Sequence, residues 1–120
     1  MAKKILIIDD DPVGAHLMST RLAKEGYALL TASNGEQGLL VLRREKPELI
    51  ILDIEMPQMN GYSFLLEMKK EESFANMEVI VQTSHEENRA IFARNGIKHY
   101  LVKPVDFNLL LPRIKMLLGE

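Results

Sequence analysis

The chain has 120 residues, a formal charge of −2 and no cysteine. That is the length of one domain, able to bury roughly 65% of its unfolded surface without a disulfide or a structural metal. Its 47% hydrophobic and 27% charged residues exclude a disordered chain, and its slightly acidic balance argues against a domain built to grip a nucleic-acid backbone.

The first apolar run, Ile5-Leu6-Ile7-Ile8, ends at Asp9, Asp10 and Asp11. Four residues are too few for the apolar region of a signal peptide. No later run approaches a membrane span, so the chain reads as soluble and cytoplasmic. The run has the unalternating pattern of a strand buried on both faces. Pro12 to Glu25 then reads as a helix, with Asp11 as N-cap, Pro12 at the first helical position and Gly26 as the stop. Ala28-Leu29-Leu30 is the second strand and the weakest of five. Glu36 to Lys46 is helical and stops before Pro47.

Leu49-Ile50-Ile51-Leu52 is the third strand, and Gly61 to about Lys70 a helix with Phe64, Leu65 and Met68 on one side. Val79-Ile80-Val81 is the fourth strand. Ser84-His85-Glu86-Glu87 has capping-box spacing and opens a helix ending near Asn95-Gly96. Tyr100-Leu101-Val102 is the fifth strand, and Phe107, Leu110, Leu111, Ile114, Leu117 and Leu118 form the apolar stripe of the last helix. Pro112 interrupts that stripe. Either the helix bends there, or residues 107–111 are a looser turn and the regular helix starts near Pro112.

Strand and helix thus alternate five times. Right-handed crossovers make this an α/β, (βα)5 domain, a parallel sheet with helices on both faces. Residues 1–120 are expected to form this single domain, with no effector domain among them.

In such a sheet ligands bind outside the carboxyl ends of the strands. Asp9, Asp10 and Asp11 follow the first run, and Asp53, Ile54, Glu55, Met56 and Pro57 the third. Gln82, Thr83 and Ser84 follow the fourth, and Lys103 and Pro104 the fifth. Carboxylates held together repel one another, and a hard cation such as Mg²⁺ relieves this. A lysine adds positive charge beside an incoming phosphoryl group, and a hydroxyl can donate to its oxygens. Phosphoryl transfer needs little beyond such positioning and neutralisation. A carboxylate can also be the nucleophile, and Asp53, alone at a strand end, is the best placed.

From about Lys3 to Leu118 the sequence resembles the receiver domains of response regulators in two-component signalling. The resemblance is carried by Ile7-Ile8-Asp9-Asp10-Asp11-Pro12, by Leu52-Asp53-Ile54-Glu55-Met56-Pro57-Gln58-Met59-Asn60-Gly61, by Thr83-Ser84 and by Tyr100-Leu101-Val102-Lys103-Pro104. Each segment alone is weak, but the four in this order are highly specific. The resemblance implies a flavodoxin-like, doubly wound sheet in strand order 2-1-3-4-5. Asp53 matches the phosphoacceptor. Asp9 and Asp10 match the acidic pair that organises Mg²⁺, and Glu55 would add its backbone carbonyl. Thr83 matches the hydroxyl that swings toward the phosphoryl group, and Tyr100 the aromatic residue that rotates inward with it. Lys103 matches the phosphate-binding lysine, whose bond to Pro104 is cis in the family.

The implied donor is a sensor histidine kinase or a histidine phosphotransfer protein. The implied output is a change of the face made by the fourth helix, fifth strand and fifth helix, read by a downstream protein or an effector domain. His85 and Glu55 border the implied site and are expected to tune how long the phosphoryl group survives. Between Thr83 and Gly96 the chain is about two residues shorter than the chemotaxis regulators of this family, so the fourth helix should be short or shifted. A monomer or weak homodimer is expected.

Plainer roles stand beside these. Asp11 is a helix cap, and Ser84 is a second one. Tyr100 also fits an ordinary edge-strand aromatic. Two rival functions are a Mg²⁺-dependent phosphohydrolase and a receiver-like scaffold that works without phosphorylation. A chain this short has no cap domain to hold a substrate, which counts against the first. The intact Asp10, Asp53, Thr83 and Lys103 set counts against the second.

Overall fold

The computed structural model describes residues 2–54, 61–84, 87, 89–94 and 96–120. The strands are β1 (Lys4–Ile8), β2 (Ala28–Ala32), β3 (Leu49–Asp53), β4 (Val79–Thr83) and β5 (His99–Val102). The helices are α1 (Pro12–Ala23), α2 (Gly35–Glu45), α3 (Gly61–Lys69), α4 (Arg89–Arg94) and α5 (Phe107–Leu117), with one 3-10 turn at Glu72–Phe74. All paired strands are parallel, in the order β2-β1-β3-β4-β5. This is the flavodoxin-like arrangement that the resemblance implies.

The second run, weak as a sequence pattern, is a full five-residue strand paired with β1 from Lys4↔Ala28 to Ile8↔Ala32. Its half-buried pattern follows from its place at the sheet edge. The central strands β3 and β4 are buried at every residue, as unalternating apolar runs require.

Alternation of side chains divides the interior into two layers. Ile5, Ile7, Ile51, Ile80 and Leu101 pack with Leu22 of α1 and with Leu110 and Ile114 of α5. Leu6, Ile8, Ile50, Leu52 and Val81 pack with Leu39 and Leu42 of α2, Phe64 and Met68 of α3, and Phe92 of α4. Two glycines permit close approach on the second side. A Cβ on Gly38 would lie 2.6 Å from Ile8 Cδ1. One on Gly61 would lie 2.5 Å from the backbone Cα of Ile54, which cannot move aside.

Helix ends follow local chemistry. Asp11 accepts the backbone N–H of Val13, and Asp106 caps α5 through the N–H of Asn108. Asn34 caps α2 by accepting from Gln37. The last helix corrects one expectation: it begins at Phe107 and runs through Pro112 instead of starting near it. Asn108 and Pro112 are both exposed. The bond that proline removes therefore faces water, which can serve the Asn108 carbonyl. The fourth helix is short, six residues from Arg89 to Arg94. The expected capping residues His85 and Glu86 lie outside the described residues.

Candidate functional site

Four strands deliver polar side chains to one edge of the sheet. Asp9 follows directly on β1 and is 6% exposed; Asp10, next to it, is exposed. Asp53 closes β3 at 2% exposure, and Thr83 closes β4 fully buried. Lys103 follows β5. Its backbone N–H donates to the Thr83 carbonyl at 2.7 Å, which extends the β4–β5 ladder to the site. Its ammonium Nζ donates to Asp53 Oδ2, also at 2.7 Å. The Lys103–Pro104 bond is cis, as the resemblance implies.

The acidic residues converge although 43 positions separate Asp10 from Asp53. Oxygens of Asp9, Asp10 and Asp53 all lie within 4.8 Å of one another. Asp9 is held in place by the backbone N–H of Asp11, which donates to its Oδ1 at 2.9 Å. Burial pushes the Asp9 carboxyl up from its usual range to about 6. The Asp11 N–H opposes this, the charge of Asp53 adds to it, and the Lys103 ammonium opposes it again. Gly14, in the first turn of α1, keeps bulk away from the acids. A Cβ there would stand 3.0 Å from Asp11 Oδ2 and 3.7 Å from Asp9 Oδ2.

This donor set fits a magnesium ion. The chain has no cysteine to offer a thiolate.

The structure therefore brings together Asp9, Asp10, Asp53 and Lys103, with Thr83 at the adjoining strand end. Glu55 and His85 lie outside the described residues. Tyr100 stands apart from the acids, on edge strand β5, yet is only 4% exposed. It pairs in register with Val81, two residues before Thr83, so Thr83 and Tyr100 share one face of the sheet on neighbouring strands.

Tyr100 belongs to an aromatic series. The Tyr62 ring of α3 meets Phe92 of α4 edge-on at 5.7 Å, and Phe92 meets Tyr100 at 6.0 Å. The Arg89 guanidinium lies 5.0 Å from the centre of the Tyr100 ring. Arg89 went unmarked in the sequence because its contact spans a loop and depends on where α4 docks.

Comparison with known proteins agrees with this geometry. The family model for the response regulator receiver domain matches residues 5–115. Protein PilH of Pseudomonas aeruginosa is 37% identical over 118 residues, covering 97% of this chain and 98% of its own length. The probable transcriptional regulator ycf27 of Pyropia yezoensis is 38% identical over 97% of this chain, which spans only 47% of that protein. The structure also superposes on response regulator TrrA of Thermotoga maritima, solved in complex with Mg²⁺-BeF. The TM-score is 0.86 at 33% identity, over 96% of this chain and 98% of that one.

Proposed function

From the chain's membership of the response regulator receiver domains, a signalling family of two-component systems, we propose that it is a phosphoacceptor switch whose acceptor is Asp53. The observation that carries this reading is the 2.7 Å contact of Lys103 Nζ with a buried carboxylate that also lies within 4.8 Å of two more.

In this reading a carboxylate oxygen of Asp53 attacks the phosphorus of a phosphohistidine donor. An O–P bond forms and the P–N bond breaks, leaving the electron pair on the imidazole nitrogen. The donor is a sensor histidine kinase or a histidine phosphotransfer protein. Asp9, Asp10, Asp53 and the backbone carbonyl of Glu55 would hold Mg²⁺, which supplies neutralising charge to the phosphoryl oxygens. Lys103 orients Asp53 beforehand and then gains a second partner in the phosphoryl group. Thr83 donates its hydroxyl to a phosphoryl oxygen. Water later attacks the acyl phosphate and releases inorganic phosphate, so the domain catalyses only its own modification and its reversal. Glu55 and His85 tune that lifetime; substituting each and timing dephosphorylation tests it, and unchanged lifetimes would refute it.

The phosphoryl group adds about −1.5 to −2 charges at one end of the sheet. Movement of Thr83 leaves room beside Tyr100, and the α4-β5-α5 face changes shape. A downstream partner that prefers one shape shifts the population toward it.

The test is intact mass after incubation with Mg²⁺ and a small-molecule phosphodonor. The wild type gains one phosphoryl group and Asp53→Ala gains none. No gain in a folded wild type points to a scaffold that works without phosphorylation. A gain in both moves the acceptor to another residue.

A further inference from the structure

The signalling face holds one contact for which the switch described so far has no use. Arg89 is exposed at the start of α4, yet its guanidinium is committed to β5 in two ways. It lies 5.0 Å from the centre of the Tyr100 ring, and its Nη1 donates to the Tyr100 carbonyl at 3.4 Å. The carbonyl is a revealing partner. The Lys103 N–H points inward to β4, so alternation along the strand turns the backbone groups of Tyr100 outward, to the free edge of the sheet. Arg89 therefore covers an edge carbonyl and the ring of the same residue. One planar, delocalised cation does both; a lysine ammonium has neither the fork nor the stacking surface.

α4 is poorly equipped to stay in place by itself. At six residues it is below the length at which helices are stable in isolation. Phe92 and Arg89, three positions apart on one side of the helix, both touch Tyr100 of β5. When the ring turns outward it gives up both ring contacts, and α4 then loses that part of its hold on β5.

We propose that Arg89 is a positioning residue of the switch, a latch that holds the Tyr100 ring inward and ties the position of α4 to it. This rests on the receiver reading above and names a regulator of the same switch. Loss of the guanidinium shifts the inward-to-outward ratio of Tyr100 toward outward by roughly three- to ten-fold, the scale of a cation–π contact partly shielded from water. The inward ring accompanies Thr83 in its move to the phosphoryl group. A smaller inward population therefore weakens the response to phosphorylation by up to the same factor.

The chain contains only three tyrosines, Tyr27, Tyr62 and Tyr100, which makes the test direct. The protein is labelled with 3-fluorotyrosine, the Tyr100 fluorine signal is assigned with Tyr100→Phe, and spectra are taken with and without Mg²⁺ and beryllofluoride. In Arg89→Ala the Tyr100 signal moves toward that of an exposed ring, and more beryllofluoride is needed to bring it back. Arg89→Lys falls between Ala and wild type. Tyr27, buried at the other side of the sheet with its hydroxyl on Glu120, keeps its position and shows that the fold is intact. A Tyr100 signal identical in wild type and Arg89→Ala overturns the latch, as does Arg89→Lys behaving like wild type. Failure of Asp53 to gain mass from a phosphodonor overturns the receiver reading instead, and the spectra without beryllofluoride still decide the latch.

Discussion

The two layers that cover the sheet are built differently. On one side, α1 and α5 are 12 and 11 residues long, and each is capped by an aspartate, Asp11 or Asp106. They press aliphatic side chains, Leu22, Leu110 and Ile114, onto the isoleucines of the sheet. On the other side lie four buried aromatic residues, Phe64, Phe74, Phe92 and Tyr100, where the first side has Tyr27, and the helix next to β5 has six residues. Interlocked branched side chains resist displacement, whereas a ring held by edge contacts and one cation has discrete alternatives. The difference suits the first layer to anchoring and, in the switch proposed above, the second to movement, with the acidic site at the sheet end common to both.

The largest expected effect probes the anchor. Leu22 is fully buried, and Leu22→Ala should cost about 3 kcal/mol of unfolding free energy through cavity formation. In urea the midpoint falls with an unchanged slope, while phosphorylation of Asp53 proceeds in the fraction that is folded. Loss of phosphorylation in folded Leu22→Ala protein would break the division of labour.

Next comes the shared site. Lys103→Met strands the buried Asp53 carboxylate and should cost about 2 kcal/mol, less than a fully buried pair because the lysine side chain is 32% exposed. The same variant should lose phosphorylation by a small-molecule donor, measured by intact mass.

Asp9 works in the opposite direction. Its pKa is raised by burial to about 6, so its favourable contribution exists only while it is protonated, and is lost as pH rises from about 4 through 6. At pH 7, without divalent cation, Asp9→Asn should therefore be more stable than wild type by roughly 1–2 kcal/mol. It should also lose most of the rise in Tm that Mg²⁺ gives the wild type. Equal Mg²⁺ responses in the two proteins would remove Asp9 from the ion's ligands.

Phe92→Leu sharpens the comparison from the mobile side. It should cost only about 1 kcal/mol in urea, yet move the Tyr100 fluorine signal more than Leu22→Ala does.

The smallest effect is a slope. The His99 pKa is lowered by burial, then by the charges of Arg113 on α5 and Lys98 beside it, with Glu78 opposing. Its contribution to stability is present above the unfolded value near 6.5 and is lost as pH falls below it. Asp9 has the reverse slope at its upper end, so the comparison is made in an Asp9→Asn background. There, His99→Gln should flatten the decline in Tm between pH 7 and 5.

Much of this was legible in the chain. The five runs, the Asp11-Pro12 helix start and the acids, hydroxyl and lysine at the strand ends are local signals. Burial on both faces leaves an unalternating run, and a cap needs its oxygen within three residues of the N–H it accepts. Other features were misjudged or invisible for equally physical reasons. Of the two readings at Pro112, a bend or a late helix start, the late start did not follow, because the lost bond faces solvent. Tyr100 could be read either as a switch or as an ordinary edge residue, and its burial beside Phe92 of α4 depends on how that helix docks.

The sequence by itself determined the alternation of strand and helix, the helix starts, and which residues stand at the strand ends, since each depends on neighbours a few positions away. Tertiary structure alone decided that Asp9, Asp10 and Asp53 share one cluster and that Lys103 reaches Asp53. It also decided that Gly38 and Gly61 sit where a Cβ has no room, and that Arg89 covers Tyr100. Those contacts join segments brought together by strand order and helix docking, and no local pattern encodes a distance across the sheet.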